Sequence, residues 1–350
     1  MGFHRTVGTS RGWPNKTKKY TGVLMGVHIL TETDLRSVVG IDNQSLDAVE
    51  TAFSWLQKGL VDMPPIMHIS AKKYSGDIDV KSAYVDGVPV VAIKIASGFF
   101  NNPKQGLPAG SAMMVLLSAE TGFCKAVLLD NGFLTDLRTG MAGAVSAELL
   151  APESIETVGI MGTGMQARYQ LQCLSLVRPF KKVLVWGRNS DNVAKYIQDM
   201  QSALGVTVEA ADRETVVRQS QVVITTTPSN TPLVKADWLH PGLFICAVGA
   251  DFPGKQELEA EVLQRADRLV CDRLSQCIHN GEMQHLCTDD SLPDDIQADE
   301  LGQLTTRLRP GRQDPSEVIV CDLTGTGVQD TAIANLAYQA AMARGLGSEA

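Results

Sequence analysis

The chain has 350 residues, 44% of them hydrophobic, and a formal charge of −8. That is enough apolar material for a large core, near the size at which one core divides into two. The acidity argues against nucleic acid or an anionic membrane surface as the main partner, although a local basic pocket can still hold a small anion. No run of about 18 apolar residues suggests a membrane span. The seven cysteines are scattered and never spaced Cys-x-x-Cys, and the nearest pair, Cys271 and Cys277, matches no zinc pattern. They read as reduced, mostly buried thiols of a cytoplasmic protein. The six histidines are dispersed as well, so no metal is expected.

No acidic residue precedes Glu32, while Arg5, Arg11, Lys16, Lys18 and Lys19 are basic. The bias faintly resembles a targeting peptide, and Met1-Gly2 with Thr6 fits the loose myristoylation pattern. The simpler expectation is a disordered extension over 1–24, or a start codon placed upstream of the real one at Met25. Ordered pattern begins at Val27-His-Ile-Leu30. Thr31-Glu-Thr-Asp34 looks like a helix start, and Leu46, Val49, Ala52, Phe53, Leu56 and Leu60 fit one helix face. From Ile66 to Leu129 short β-rich runs take over, such as Val88–Ile95 and Ala112–Leu117, with a hairpin turn at Glu120-Thr-Gly122. This part predicts an α+β domain dominated by antiparallel strands.

After Pro152 strand and helix alternate. Strands are predicted at Thr157–Met161, Lys182–Trp186, Thr207–Ala210, Val222–Thr225, Leu243–Ala247 and Arg268–Cys271. Such alternation means a parallel sheet covered on both faces, hence an α/β fold. The tail Val318–Cys321 and the Ala-rich helix from Thr331 could pack back on the first part. The predicted division is 25–145 with 321–350 for substrate and dimerisation, and 146–320 for a Rossmann domain.

Gly162-Thr163-Gly164-Met165-Gln166-Ala167 reads Gly-x-Gly-x-x-Ala. Alone that is weak, but it follows a short apolar strand and opens a helix, the setting of a dinucleotide site. Gly162 permits the tight turn, Gly164 lets the backbone approach a pyrophosphate, and Ala167 lets the helix pack on the sheet. The phosphates would sit at the helix N-terminus. The next strand ends Gly187-Arg188-Asn189-Ser190, where an NAD site would place an acid for the ribose 2′-hydroxyl. Gly187 is no acid, and Arg188 could clamp a 2′-phosphate, so the cofactor is NAD(P)(H) with a leaning to NADP(H). The same arginine could instead stack on adenine in an NAD complex. Thr226, Thr227, Val248 and Gly249, past the ends of the next strands, complete the candidate cofactor contacts.

Three charges sit out of place: Lys94 within an apolar run, Arg138 in the small-residue segment Thr135–Ala144, and Asp251 after a strand that reads as buried. Lys94 could instead be an edge-strand lysine facing solvent, and Asp251 a turn residue. Together these segments resemble the ornithine cyclodeaminase/μ-crystallin family from about Val27 to Ala341. The pieces are Ala92-Ile-Lys-Ile, Leu137-Arg-Thr, Gly-Thr-Gly-Met-Gln, Ala247-Val-Gly-Ala-Asp-Phe-Pro-Gly-Lys255 and Asp322-Leu-Thr-Gly-Thr-Gly. The resemblance implies a homodimer built by the first domain with the C-terminal segment, and a nicotinamide cofactor in the other. It gives Arg138 and Lys94 to the substrate carboxylate and reacting centre, makes Asp251 the acid/base residue, and places Thr324-Gly325 beside the nicotinamide.

The chemistry is consistent with that. Arg138 can hold the carboxylate of an α-imino acid bidentately, near the cofactor as well. Asp251, if desolvation raises its pKa, can protonate the nitrogen, and Lys94 supplies fixed positive charge. Many family members carry an arginine after the Pro-rich turn; Met63-Pro-Pro-Ile-Met-His68 has Ile66 or Met67 there. His68 and Lys81 are expected to rebuild that anion site for a second carboxylate; the alternative is that Lys81 is merely exposed. Met-Pro-Pro-Ile, Gly98-Phe-Phe-Asn-Asn-Pro-Lys and Leu128-Leu-Asp-Asn-Gly look most like the branch linked to ectoine utilisation and iminosuccinate reduction. The expected reaction is therefore reduction of an imino acid, specifically iminosuccinate to aspartate. The alternatives are a cyclodeaminase with a recycled cofactor and a crystallin-like binder without turnover.

Overall fold

The computed structural model describes residues 26–99 and 101–350. The expectations for residues 1–24 lie outside the described residues. Two eight-stranded sheets organise what is described. The first runs Ser348–Glu349, His28–Thr31, Cys124–Leu129, Gly110–Ser118, Val90–Phe99, Gly76–Val85 and Val61–Asp62, with Met67–Ala71 also paired to Gly76–Val85. Its pairings are antiparallel except His28–Thr31 with Cys124–Leu129.

The period-two alternation of these strands explains the misplaced lysine. Val90, Ala92 and Lys94 are buried with Met114, Leu116, Ala126 and Leu128, whereas Val91, Ile93, Ile95, Met113, Val115 and Leu117 on the opposite parity stay half-buried. Lys94 therefore faces inward, away from solvent. Helix Gly327–Ala343 packs over that inner face, and helices Asn43–Gln57 and Phe133–Leu150 pack against that helix and each other. Helix Asn43–Gln57 starts where Asp42 accepts from the Ser45 N–H at 2.8 Å and buries Leu46, Val49, Ala52 and Phe53, three to four residues apart.

The second sheet is parallel throughout and runs Thr207–Ala210, Lys182–Trp186, Thr157–Met161, Val222–Thr225, Phe244–Ala247, Ile319–Asp322, Arg268–Cys271 and Ala298–Glu300. The order reverses beside Thr157–Met161, which opens a crevice at the carboxyl ends of the strands. The expectation for the tail needs correcting. Ile319–Asp322 is buried on both faces and slots into this sheet between Phe244–Ala247 and Arg268–Cys271. The helix Gly327–Ala343 returns to the first sheet, against Gly76–Val85 and Val90–Phe99, and Ser348–Glu349 then pairs at its edge with His28–Thr31. A small parallel pair, Asn230–Val234 with Gln256–Leu258, was not anticipated.

Helix Phe133–Leu150 lies against helix Met165–Val177 and joins the two halves. A Cβ at Gly140 would come 2.7 Å from Cys173 Sγ and 3.1 Å from the Tyr169 carbonyl oxygen. The small residues around Arg138 thus permit the close approach that sets Arg138 beside the glycine loop.

Candidate active site

The glycine loop leaves strand Thr157–Met161 through Gly162, whose φ of +120° suits glycine and whose Cβ would lie 2.5 Å from Thr226 Oγ1. Gly164 caps helix Met165–Val177 without any side-chain capping bond, and a Cβ there would meet nothing within 4 Å. The first-turn N–H groups and the positive end of the helix dipole therefore open onto space. That space is a cavity of about 240 Å³ lined by Gly162, Thr163, Gly164, Gly187, Arg188, Asn189, Thr226 and Thr227. The donor set and the room above Gly164 fit a dinucleotide phosphate. Met165 is exposed on the helix and Ser190 begins the next one, and neither lines this cavity. Arg188 is exposed at its mouth. Asn189 is occupied in capping, accepting from the Asn192 N–H at 2.9 Å. A side chain at Gly187 would press on Thr163 Cγ2 at 2.8 Å and Val193 Cγ2 at 3.0 Å, a packing reason for the missing acid.

Thr227 and Gly249 are held from beneath. Thr227 N and Oγ1 donate to Glu257 Oε1 at 2.6 and 2.7 Å, and Gly249 N donates to Glu257 Oε2 at 2.9 Å. Burial pushes the Glu257 carboxyl up to about 7.

Gln166, two residues along the same helix, turns to a second cavity of about 190 Å³. Its walls include Lys81, Asp136, Arg138, Gln166, Val248, Asp251, Asp272, Thr324, Gly325 and Gln329. Gln166 Nε2 donates to Asp136 Oδ1 at 2.7 Å and so ties the glycine-loop helix to the helix that carries Arg138. Arg138 donates through Nε to Asp330 Oδ1 at 2.8 Å and through Nη1 to Gln329 Oε1 at 3.3 Å. Gly325, at φ +76°, leaves room for this guanidinium, because a Cβ there would sit 2.5 Å from Nη1. Asp272 fixes the loop behind it, accepting from Thr324 N, Thr324 Oγ1 and Gly325 N at 3.0, 3.0 and 2.6 Å.

Lys81 and Lys94 face each other directly across two antiparallel strands, an arrangement that like charges disfavour unless an anion lies between or beside them. Asp330 is that anion, 2.9 Å from Lys94 Nζ. Here the expected roles shift. Lys94 is 2% exposed, lies behind Asp330, and is absent from the cavity wall, whereas Lys81 lines it. Lys81 Nζ donates to the Thr324 and Gly325 carbonyls at 3.2 and 3.0 Å. Burial, reinforced by Arg138, lowers Lys94 to about 7 and also lowers Lys81. Burial opposes ionisation of Asp330 too, but Arg138 and Lys94 outweigh it and hold its pKa below the usual carboxylate range.

Asp251 departs from expectation in the opposite sense. Desolvation alone would raise its pKa, but Lys255, which donates to Oδ1, and Lys81 together lower it. It is a carboxylate at neutral pH, not a stored proton. About half of its side chain is open to the cleft. Asp251 also borders a third cavity, of about 650 Å³, with Pro64, Pro65, Ile66, His68, Asp79, Phe252, Arg273 and His279. His68 thus stands in a different cavity from Lys81, and its Nδ1 is 2.7 Å from Asp79 Oδ1. A partner carboxylate already occupies that edge of the ring, so His68 and Lys81 do not form one ready anion site.

Sequence reasoning passed over Asp330, Gln329, Asp136, Asp272, Arg273 and Lys255. Asp330 carried the same signal as Lys94, a charge in an apolar and Ala-rich run, and Lys255 stands one helical turn's spacing after Asp251. Asp272 and Arg273 gave no sign, because only the fold brings them to the cleft. Among the described residues no group of three His, Cys, Asp or Glu side chains could hold a metal ion, and no helix is long and apolar enough to cross a membrane.

The model of the ornithine cyclodeaminase/mu-crystallin family matches residues 27–345. The chain belongs to that family. A Rhizobium meliloti (strain 1021) protein, provisionally named a dehydrogenase, is 43% identical over 91% of this chain and 97% of its own. Among solved structures, an archaeal alanine dehydrogenase dimer with bound NAD superposes with a TM-score of 0.86 at 33% identity. That match covers 93% of this chain and 99% of the neighbour. The iminosuccinate reductase of Paracoccus denitrificans with NAD+ gives 0.84 at 27% identity over 93% and 99%.

Proposed function

We propose that the protein is an NAD(P)H-dependent reductase of α-imino acids, also able to run as an amino-acid dehydrogenase. The observation that carries this reading is a single cavity joining Arg138 and Lys81, which suit a carboxylate, with Asp251, which suits an adjacent nitrogen, beside the glycine-loop helix. The glycine loop and the turns at Thr226-Thr227 would hold a nicotinamide dinucleotide, which would supply the hydride for the C=N carbon. The chain's own groups do the rest. Arg138 has Nε engaged with Asp330 and Nη1 with Gln329, which leaves Nη2 and the second Nη1 hydrogen for the substrate carboxylate. Lys81 adds a second donor, and Lys94 with Asp330 anchors the array from behind. Gly325 and Thr324 keep the reacting carbon in line, and Asp251 holds the nitrogen as a cation forms on it.

The finer reading is iminosuccinate to aspartate. It rests on the absence of an arginine at Ile66, on Lys81, and on the third cavity past Asp251 with room for an acidic side chain beside Arg273. The iminosuccinate reductase neighbour supports it, and the alanine dehydrogenase keeps a smaller side chain open. Arg188 at the cofactor mouth favours NADP(H), while the solved neighbours named above hold NAD. The uncovered apolar row Val91, Ile93, Ile95, Met113, Val115 and Leu117 supports a homodimer formed through the first sheet. A cyclodeaminase is the second reading, because Asp79 and Asp251 in the third cavity could receive a distal ammonium.

One panel tests these readings: NADH and NADPH oxidation with iminosuccinate, pyruvate plus ammonia, and cyclic imino acids, and ammonia release from ornithine. Steady oxidation with iminosuccinate is the expected result. Ammonia from ornithine without net oxidation would support the cyclodeaminase, and inactivity with cofactor bound tightly would support a binding protein.

A further inference from the structure

We infer that His68 and Asp79 form a proton relay for the amino nitrogen, with Asp79 orienting the imidazole and His68 delivering the proton through the cavity it shares with Asp251. The inference rests on the imino-acid reading above and deepens it.

Reduction of a C=N bond leaves a nitrogen that must gain a proton, and Asp251 is already ionised by Lys255 and Lys81. It can hold and pass a proton but does not store one at neutral pH. His68 is placed to supply it. Strand pairing sets His68 directly opposite Asp79, and Nδ1 lies 2.7 Å from Oδ1, so the ring donates from Nδ1 to the carboxylate. Phe252, the residue after Asp251, packs on the imidazole with ring centroids 4.5 Å apart. The ring is therefore fixed on two sides, and among the described residues Nε2 has no hydrogen-bond partner. His68, Asp79 and Asp251 all border the same 650 Å³ cavity. A carboxylate behind one nitrogen, fixing which nitrogen faces the reaction, is how a histidine is made a directed acid or base.

The step balances as a proton transfer. The Nε2–H bond of the imidazolium breaks, its electron pair stays on the ring, and the proton passes through cavity water and Asp251. A new N–H bond then forms on the product nitrogen. Solvent reprotonates His68, and nothing is oxidised or reduced in this step. The runner-up role, binding a distal carboxylate, is disfavoured because Asp79 already faces the ring.

The test uses the full chain with iminosuccinate and reduced cofactor. His68→Gln is expected to lower kcat by about 100-fold, with KM for iminosuccinate and the Kd of reduced cofactor within about twofold. His68→Ala is expected to regain rate with added imidazole, and Asp79→Asn to lower kcat with a larger solvent deuterium isotope effect. A raised KM at unchanged kcat in His68→Gln would overturn the relay in favour of anion binding. Unchanged kcat, or loss in His68→Ala that imidazole does not relieve, would overturn it as well. Wild-type protein that turns over no imino acid contradicts the functional reading itself, whereas active wild type beside an unimpaired His68→Gln contradicts the relay alone.

Discussion

The cavity at the glycine loop and the cavity at Arg138 lie side by side but are built differently. The first is made mostly of backbone, from turns at strand ends, and its main element is one contiguous stretch from Thr157 to Ala167. The second is walled mainly by side chains, those of Lys81, Arg138, Gln166, Asp251 and Gln329, drawn from both halves of the chain, with Asp330 behind Arg138. A site of open N–H groups tolerates change until something fills its space. A site of buried charges depends on every partner, since a buried ion left alone costs several kcal/mol.

Substitutions can break this contrast, the largest effect first. Arg138→Lys keeps the charge beside Asp330 but loses the planar fork, and kcat/KM is expected to fall about 100-fold or more. Thermal melting should change only slightly, and the Kd of cofactor by no more than a few-fold. Gly164→Val is the mirror case. Nothing lies within 4 Å of the new Cβ, so the melting temperature should hold while cofactor binding weakens at least about tenfold, as a displacement worth about 1.4 kcal/mol requires. Equal loss of stability in that variant would contradict the open-loop description. Arg188→Ala should raise the Kd of NADPH by about tenfold and leave that of NADH within about twofold, measured by fluorescence titration. Equal effects on both would assign Arg188 to adenine stacking.

Much of the first cavity was legible in the sequence because its determinants are local. Gly162 after the apolar strand announces a turn whose geometry suits glycine, and Gly164 an open approach to the helix N-terminus. The order of strands and helices after Pro152 was also legible, since parallel strands buried on both faces read as continuous apolar runs. The second cavity was legible only as misplaced charges. That Lys94 lies behind Asp330 while Lys81 lines the wall follows from strand register, and register is fixed by pairing partners that a sequence does not display. The sign of the Asp251 shift depended on Lys255 and Lys81 reaching it. The placement of Ile319–Asp322 in the second sheet depended on a slot left between two other strands.

The floor of the nucleotide domain gives the smallest effect. Burial raises Asp322 to about 8, well above its value in an unfolded chain of about 4. The folded state therefore binds an extra proton, and this stabilisation is full below the unfolded value and lost as pH rises through about 8. Glu257 acts in the same direction up to about 7, whereas Lys94, lowered to about 7, gains stability for the fold above that pH. Asp322→Asn is thus expected to flatten the fall of melting temperature between about pH 5 and 8 by a few degrees. An unchanged pH profile would show that Asp322 titrates as it does in the unfolded chain.

The central claim is that the two cavities serve one reaction on a carbon–nitrogen double bond. It is tested most directly by following reduced-nicotinamide absorbance with purified protein and freshly generated iminosuccinate, with product amino acid measured in parallel. Stoichiometric cofactor oxidation and aspartate formation, reduced in Gly164→Val at limiting cofactor and reduced further in Arg138→Lys, are the predicted result. No oxidation with iminosuccinate or any other α-imino acid, by protein that binds the cofactor tightly, would contradict it.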